Sequence, residues 1–451
     1  MQNGSHLSMG EKIMQIRKSK GLSQENIAHG LGVSRTIILR LERGEIECDG
    51  EILAKIRKYL KIENAPLTHS EIELYKSRMW VCNDILNGDR LAEAVALLDE
   101  LSHVKDLPFE ADLNLLHSMT FTRLLFKQQN VTEAEANLAK AEPVVENTSN
   151  EAKFLYHRNM GHLSYIKSQP LNGLRHYNQC PMFANNNLPL ESGLLMNIGA
   201  AYLGLNKPYH AINFLERARQ IYQGDRSSPI NAMIGLNLSS CYLLVGEYTS
   251  TEQNLSAALT QAQNINNKHF QMMGLINYAS LHQQKKDYEQ CIVFCDRVLS
   301  QEEVIPFAHI MALGMKTISL FKQKKLAQSQ ETLQQASILI TETKRQVASA
   351  EGHPLAVGLD LLSVYFNCVG HLMTLNKSDS VDYIQNVGIP YFIDAENNMI
   401  SSGIPGSFKA IELCDELEAH FIKKRAITKA NTIAAISRNI MRNVFMRELE
   451  L

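Results

Sequence analysis

Seven small residues recur at nearly constant intervals along the middle of this chain. They are Ala94, Ala134, Gly173, Ala211, Thr251, Cys291 and Ser329, separated by 40, 39, 38, 40, 40 and 38 residues. Four positions after each comes Leu98, Leu138, Tyr177, Leu215, Leu255, Cys295 or Leu333. Three further on comes Leu101, Ala141, Cys180, Ala218, Ala258, Val298 or Ala336. The i, i+4, i+7 spacing is one helix face, with the small residue where two helix backbones approach. A period of about 40 residues confines the chain to a stacked array, because each unit buries its apolar face only against its neighbours. The expected class is all-α.

A second row has the same period. Asn159, Asn197, Asn237 and Asn277 lie 38, 40 and 40 residues apart in similar settings, as in Met196-Asn197-Ile198-Gly199 and Leu236-Asn237-Leu238-Ser239. They fall on the first helix of each pair, which lines the concave side of a right-handed superhelix. An amide both donates and accepts, so such a row can hold an extended peptide by its backbone. Residues sharing this face include His162, Ala200, Gly204, Met233, Ser240, Leu244, Met273 and Ser280, a mixture of polar, small and apolar groups that fits an accessible groove. Arg123 and Arg158, near its N-terminal end, are candidate cations for a ligand carboxylate. The competing reading of the asparagines is a set of bonds between neighbouring repeats.

Before the repeats the sequence changes character. Between Gly10 and Ile62, eleven Lys/Arg stand against seven Asp/Glu, a local excess of +4 in a chain whose net charge is −2. A small basic module on a mildly acidic body fits a nucleic-acid-binding domain. Gly21, Gly32 and Gly44 punctuate short amphipathic stretches, with Ser23 and Ser34 at the starts of the second and third helices and a fourth helix over about 50–60. Two short helices joined by the Gly32-Val33-Ser34 turn make a helix-turn-helix.

The segment IRKSKGLSQENIAHGLGVSRTIILRLERG resembles the Xre/Cro-type repressors, carried by Gln24, Ala28, Gly32, Val33, Ser34, Leu41, Glu42 and Gly44. With Ile38 and Leu41 facing the core, Arg35, Thr36 and Arg40 face out. The resemblance implies that these three meet base edges in the major groove and that Gln24, Ser34 and Arg43 meet phosphates. It also implies an internal ion pair between Arg17 and Glu42. Modules of this kind act as dimers on paired half-sites.

The repeats resemble tetratricopeptide units, best over Ile198, Gly199, Tyr202, Ala211, Leu215 and Ala218. The combination resembles the Rgg/Rap/NprR/PlcR/PrgX class of peptide-pheromone receptors. That likeness implies a cytoplasmic, quorum-sensing transcriptional regulator that binds operator DNA as a homodimer under the control of a short signalling peptide. The repeats also resemble members of that class that bind response regulators, so the alternative is a bifunctional or Rap-like protein that binds a response regulator and inhibits phosphorelay signalling, for which Gln128 and Gln129 are the nearest candidate residues. No triad, phosphate loop or metal-spaced cluster stands in the sequence, so neither an enzyme nor a cofactor is expected.

The expected organisation is a leader over 1–9 resembling an expression scar, the helix-turn-helix over 10–62, a linker over 63–69 around Pro66, repeats over 70–400 and C-terminal helices over 401–451. An insertion over 344–354 is expected to break the repeat register. The eight cysteines are scattered through apolar stretches and read as reduced buried thiols. No run of 18 apolar residues is present, so no membrane partner is expected.

Overall fold

The computed structural model describes residues 8–62, 66–88, 90–107, 109–167, 169–183, 192–221, 229–302, 305–348, 355–375, 377–397 and 406–449. Among them there are helices and no strands. The chain forms two compact units, Met1–Met160 with His176–Leu190, and Gly161–Arg175 with Glu191–Leu451.

The first unit opens with four helices: α1 (Met9–Ser19), α2 (Gln24–Leu31), α3 (Arg35–Glu42) and α4 (Gly50–Leu60). Ser8, placed in the leader by the sequence, is the N-cap of α1: its hydroxyl accepts from the Glu11 amide while the Glu11 carboxylate accepts from the Ser8 amide. Ser23 and Asn26 cap α2 in the same reciprocal way. Gly32 then turns the chain at φ +69°, a left-handed conformation that a Cβ disfavours. Ser34 occupies the N-cap position of α3, but its side chain makes no capping bond. Ile13, Ile16, Ile27, Ala28, Ile38, Leu41, Ile56 and Leu60 form the core of this module.

The repeats follow as antiparallel pairs. They are α5 (His69–Asn87) with α6 (Leu91–Glu100), α7 (Ala111–Lys127) with α8 (Val131–Val145), and α9 (Asn150–Ile166) with α10 (Pro170–Tyr177). After a short α11 (Cys180–Phe183) come α12 (Ser192–Gly204) with α13 (Pro208–Ile221), α14 (Pro229–Leu244) with α15 (Tyr248–Asn264), α16 (Lys268–Gln284) with α17 (Tyr288–Leu299), and α18 (Pro306–Lys322) with α19 (Leu326–Ala348).

Seven turns join these pairs by one device. The amides of Arg90, Asn130, Gln169, Lys207, Glu247, Asp287 and Lys325 each reach the carbonyl five residues back, at 2.8–3.2 Å. That bond closes the last turn of the first helix over its orphan carbonyls. The residue before the donor sits at positive φ in Gln129, Asn206, Gly246, Lys286 and Lys324. These turns repeat with the same intervals as the small-residue row, and every member of that row is buried. The sequence period therefore marks both the joint and the close approach beside it.

Of the insertion expected over 344–354, residues 349–354 lie outside the described residues. Helix α19 continues without interruption to Ala348, with Val347 still buried. The final elements are α20 (Leu355–Leu372), α21 (Ser378–Tyr383), a wide turn at Ile384–Gly388, α22 (Ile389–Asn397), α23 (Gly406–Lys423) and α24 (Ile427–Leu449). They share one apolar core with α16–α19, including Phe366, Phe392, Leu417 and Phe421. No described helix is long and apolar enough to cross a membrane.

Candidate functional site

In the first module Ile38 and Leu41 are buried, and Ser34, Arg35, Thr36, Arg40 and Arg43 are exposed. The candidate base-reading residues thus share the outer side of α3. Arg40 and Arg43 both approach Glu45, at 3.4 and 3.7 Å, so a single carboxylate tethers two cations beside the reading surface. Gln24 is turned differently. Its amide donates to Glu42 Oε2 at 2.8 Å, inside a buried network in which Arg17 Nε and Nη2 donate to both Glu42 oxygens at 2.6 and 2.9 Å. The hydrogen bond to Glu42 raises the Arg17 pKa above its ordinary range. Gln24 thereby joins the starts and ends of three helices, and its donor group is committed inside the protein.

The asparagine row divides in two. Asn159 is 2% exposed and its amide donates to the Met119 carbonyl at 2.8 Å, one repeat earlier. Asn277 Nδ2 reaches back to Ser239 Oγ at 3.1 Å, Ser240 Oγ at 3.2 Å and the Leu236 carbonyl at 3.4 Å. Both are ties between repeats. Asn197 and Asn237 are half-buried and no hydrogen bond is formed by either among the described residues. The reason at Asn237 lies one repeat back. The positions matching Ser239 and Ser240 are Gly199 and Ala200, which have no hydroxyl to offer. That signal stands in the sequence, but it is visible only once the pairing of residues 37–41 apart is known.

The row also faces the right way. Two residues beyond each asparagine the side chain is small because the second helix packs there. A Cβ on Gly199 would stand 2.6 Å from Leu215 Cγ and 3.3 Å from the Ala211 carbonyl, and Ser239 and Ala279 are fully buried. Two helical residues turn the chain through about 200°, so the asparagines point away from their own partner helix. Met233, Ala200, Gly204, Leu244 and Met273 around them are half-buried. Ser240 is half-buried too, but its hydroxyl is spent on the Leu236 carbonyl at 3.1 Å and on Asn277. His162 is half-buried on α9.

Arg123 and Arg158 belong to the first unit and are 8% and 5% exposed. Both donate to Asn87 Oδ1, at 2.7 and 3.3 Å, and Arg123 also donates to Asn83 Oδ1. Two guanidiniums converging on one amide oxygen concentrate positive charge on α5, α7 and α9. Asn83 and Asn87 were not singled out by the sequence, because their phase matches neither repeated row. Nearby, His157 and His176 share a proton between their Nδ1 atoms at 3.1 Å. Burial first, and then His176, pushes His157 down to about 4.

Gln128 and Gln129 are exposed and form the turn after α7. Gln129 holds the positive-φ position that Asn206, Gly246, Lys286 and Lys324 hold in other repeats, which accounts for its place without a catalytic role. The eight cysteines are free thiols. Burial raises Cys82 to about 11 and Cys241, Cys368 and Cys414 to about 12, so these sulfurs are unreactive. Among the described residues no group of three His, Cys, Asp or Glu is placed to hold a metal ion.

Residues 13–63 match the helix-turn-helix family. Comparison with curated protein sequences finds no match. The fold has solved counterparts. A Rap protein complexed with competence and sporulation factor matches at a TM-score of 0.65 and 13% identity, over 83% of this chain and 99% of its own. NprR in complex with its cognate peptide NprX matches at 0.60 and 17%, over 81% and 99%. Aspartyl phosphate phosphatase F from Bacillus subtilis matches at 0.52 and 12%, over 84% and 96%. At these identities what is shared is the fold.

Proposed function

We propose that this chain is a transcriptional regulator that reads operator DNA as a dimer through α3 and is controlled by a short signalling peptide held along the repeats. The observation that carries the reading is the split in the asparagine row. Asn159 and Asn277 are consumed within the protein, whereas Asn197 and Asn237 present amides without a described partner beside half-buried methionine, leucine and small side chains. A half-buried amide with no partner is unfavourable unless water or a ligand satisfies it. A peptide backbone supplies one donor and one acceptor per residue, the complement of an asparagine side chain. The likeness to solved folds bound to a signalling factor and to a cognate peptide supports the same ligand class.

On DNA, Arg35, Thr36 and Arg40 are the proposed base readers, with Ser34 and Arg43 on phosphates. Arg35→Ala is expected to relax base preference at one position by about 1–3 kcal/mol, with the repeat domain unaffected. The test selects bound duplexes from a random library, and separately screens random peptides of five to ten residues by thermal shift. A wild-type chain that enriches no sequence, or that no peptide stabilises, removes the corresponding half of the proposal.

The second reading is capture of a response regulator, favoured by the likeness to an aspartyl phosphate phosphatase fold. A pull-down with a response regulator, with and without peptide, separates the two. Capture without any DNA selection would replace the first reading by the second.

A further inference from the structure

The boundary between the helix-turn-helix and the repeats is closed by residues from the far side of it. Phe109 lies between α6 and α7, in the repeat sequence, yet it is 3% exposed and packs into the apolar core of the DNA-reading module with Ile13 and Ile56. The next residue, Glu110, is 4% exposed. Its two carboxylate oxygens accept from Lys12 Nζ of α1 at 3.0 and 2.9 Å, and Oε1 also accepts from the Leu67 amide at 3.2 Å. Glu110 occupies the N-cap position of α7 but makes no capping bond there. Its carboxylate is turned to the module instead.

Lys12 has a counterpart on the same helix. Five residues on, Arg17 forms the buried pair with Glu42 at the end of α3. The first turn of α1 also rests directly against that helix end, since a Cβ on Gly10 would meet the Leu41 carbonyl. Helix α1 therefore has one buried ion pair to the first repeats and another to the reading helix.

We propose that Phe109 and Glu110 form a seat, and α1 a strut, that fix the orientation of the reading helix α3 on the repeats. Lys12 and Glu110 are positioning residues in this scheme and touch no DNA. Leu67, in the linker at 63–69, is itself held by the seat. This inference rests on the DNA-reading dimer proposed above. Its consequence is a fixed distance between the two reading helices of a dimer. A module swinging on a tether tolerates half-sites moved apart, and a seated one does not, because five added base pairs turn the second half-site to the opposite face of the duplex.

The test compares the full chain with Glu110→Gln, Lys12→Met, the double variant and the conservative Lys12→Arg. The first readout is hydrogen exchange at the Leu67 amide and across 9–60. The second is affinity for the selected duplex and for the same duplex with five base pairs inserted between half-sites. Wild type and Lys12→Arg are expected to lose tenfold or more on the insertion. Glu110→Gln, Lys12→Met and the double variant are expected to keep the half-site preference, lose threefold or less on the insertion, and exchange the Leu67 amide at least tenfold faster. Wild-type spacing dependence together with unchanged Leu67 protection in Glu110→Gln overturns the proposal. If Lys12→Met unfolds the module, Glu110→Gln, which keeps the shape but loses the charge and one acceptor oxygen, decides alone. If the wild-type chain selects no duplex, the DNA-reading proposal fails, and the exchange arm still decides the seat.

Discussion

Replacing the four asparagines one at a time by alanine separates their two roles. Asn277→Ala removes three bonds to the preceding repeat, at 3.1, 3.2 and 3.4 Å, and leaves the Ser239 and Ser240 hydroxyls with one partner fewer. At about 0.5–1.5 kcal/mol net for a typical bond, and with the longest worth little, the expected loss of stability is about 1–2 kcal/mol. Asn159→Ala removes one buried bond to the Met119 carbonyl and is expected to cost about 1 kcal/mol. Asn197→Ala and Asn237→Ala remove no bond within the described protein, so each should fall within about 0.5 kcal/mol of wild type. Peptide affinity should show the reverse order. Two backbone bonds lost at Asn237 correspond to about 1–3 kcal/mol, or roughly 5- to 150-fold in Kd. Urea unfolding followed by circular dichroism gives the first ranking, and calorimetry with a peptide from the screen gives the second. A repeat array need not unfold in one step, so midpoints of the individual phases are compared. Equal destabilisation by Asn237→Ala and Asn277→Ala would refute the reasoning, since it would mean that the Asn237 amide is already employed inside the fold.

Three further outcomes follow from buried groups. Arg17→Ala strands the Glu42 carboxylate, 3% exposed, and is expected to cost about 3–5 kcal/mol, enough to unfold a module of this size; loss of amide protection over 13–60 with the repeats intact checks it. Gly199→Ala drives a Cβ to 2.6 Å from Leu215 Cγ and should destabilise the second unit by about 1–3 kcal/mol, read as a lowered urea midpoint. His157 is held neutral, with a folded pKa of about 4 against an ordinary 6.5. A base whose folded pKa is depressed favours the fold above its unfolded value, so stability should be full above about pH 6.5 and fall as the pH drops toward 4. An acid titration of His157→Phe should lose that part of the slope.

The array was legible because its constraint is steric and repeats. A small residue is required wherever two helix backbones meet, so Ala94 through Ser329 mark all seven joints before any coordinate is known. The short module was legible for the same kind of reason, since Gly32 and the buried pair Ile38 and Leu41 leave one arrangement for α3. Bonds between side chains were harder to see. Four asparagines at one phase look alike, yet the partner of each is set by a residue in the preceding repeat, Ser239 and Ser240 in one case and Gly199 and Ala200 in another. Glu110 was invisible for a different reason: Lys12 lies 98 residues away, and no periodicity links a lysine in one module to a glutamate in the next. The end of α19 was hard to place from the sequence, since Lys344 and Gln346 are polar while Val347 keeps the buried face going.

The uneven asparagine row also makes the array an uneven beam. Between α14 and α16 the stack is riveted by Asn277 to two hydroxyls and a carbonyl. At the step before it no matching rivet is formed at Asn237 among the described residues, and the side-chain ties run through the second helix α13 instead, from Tyr242 to Glu216 and from Arg219 to Asn254. A molecule bridging the open amide would add a second tie on the first-helix side and stiffen the column there.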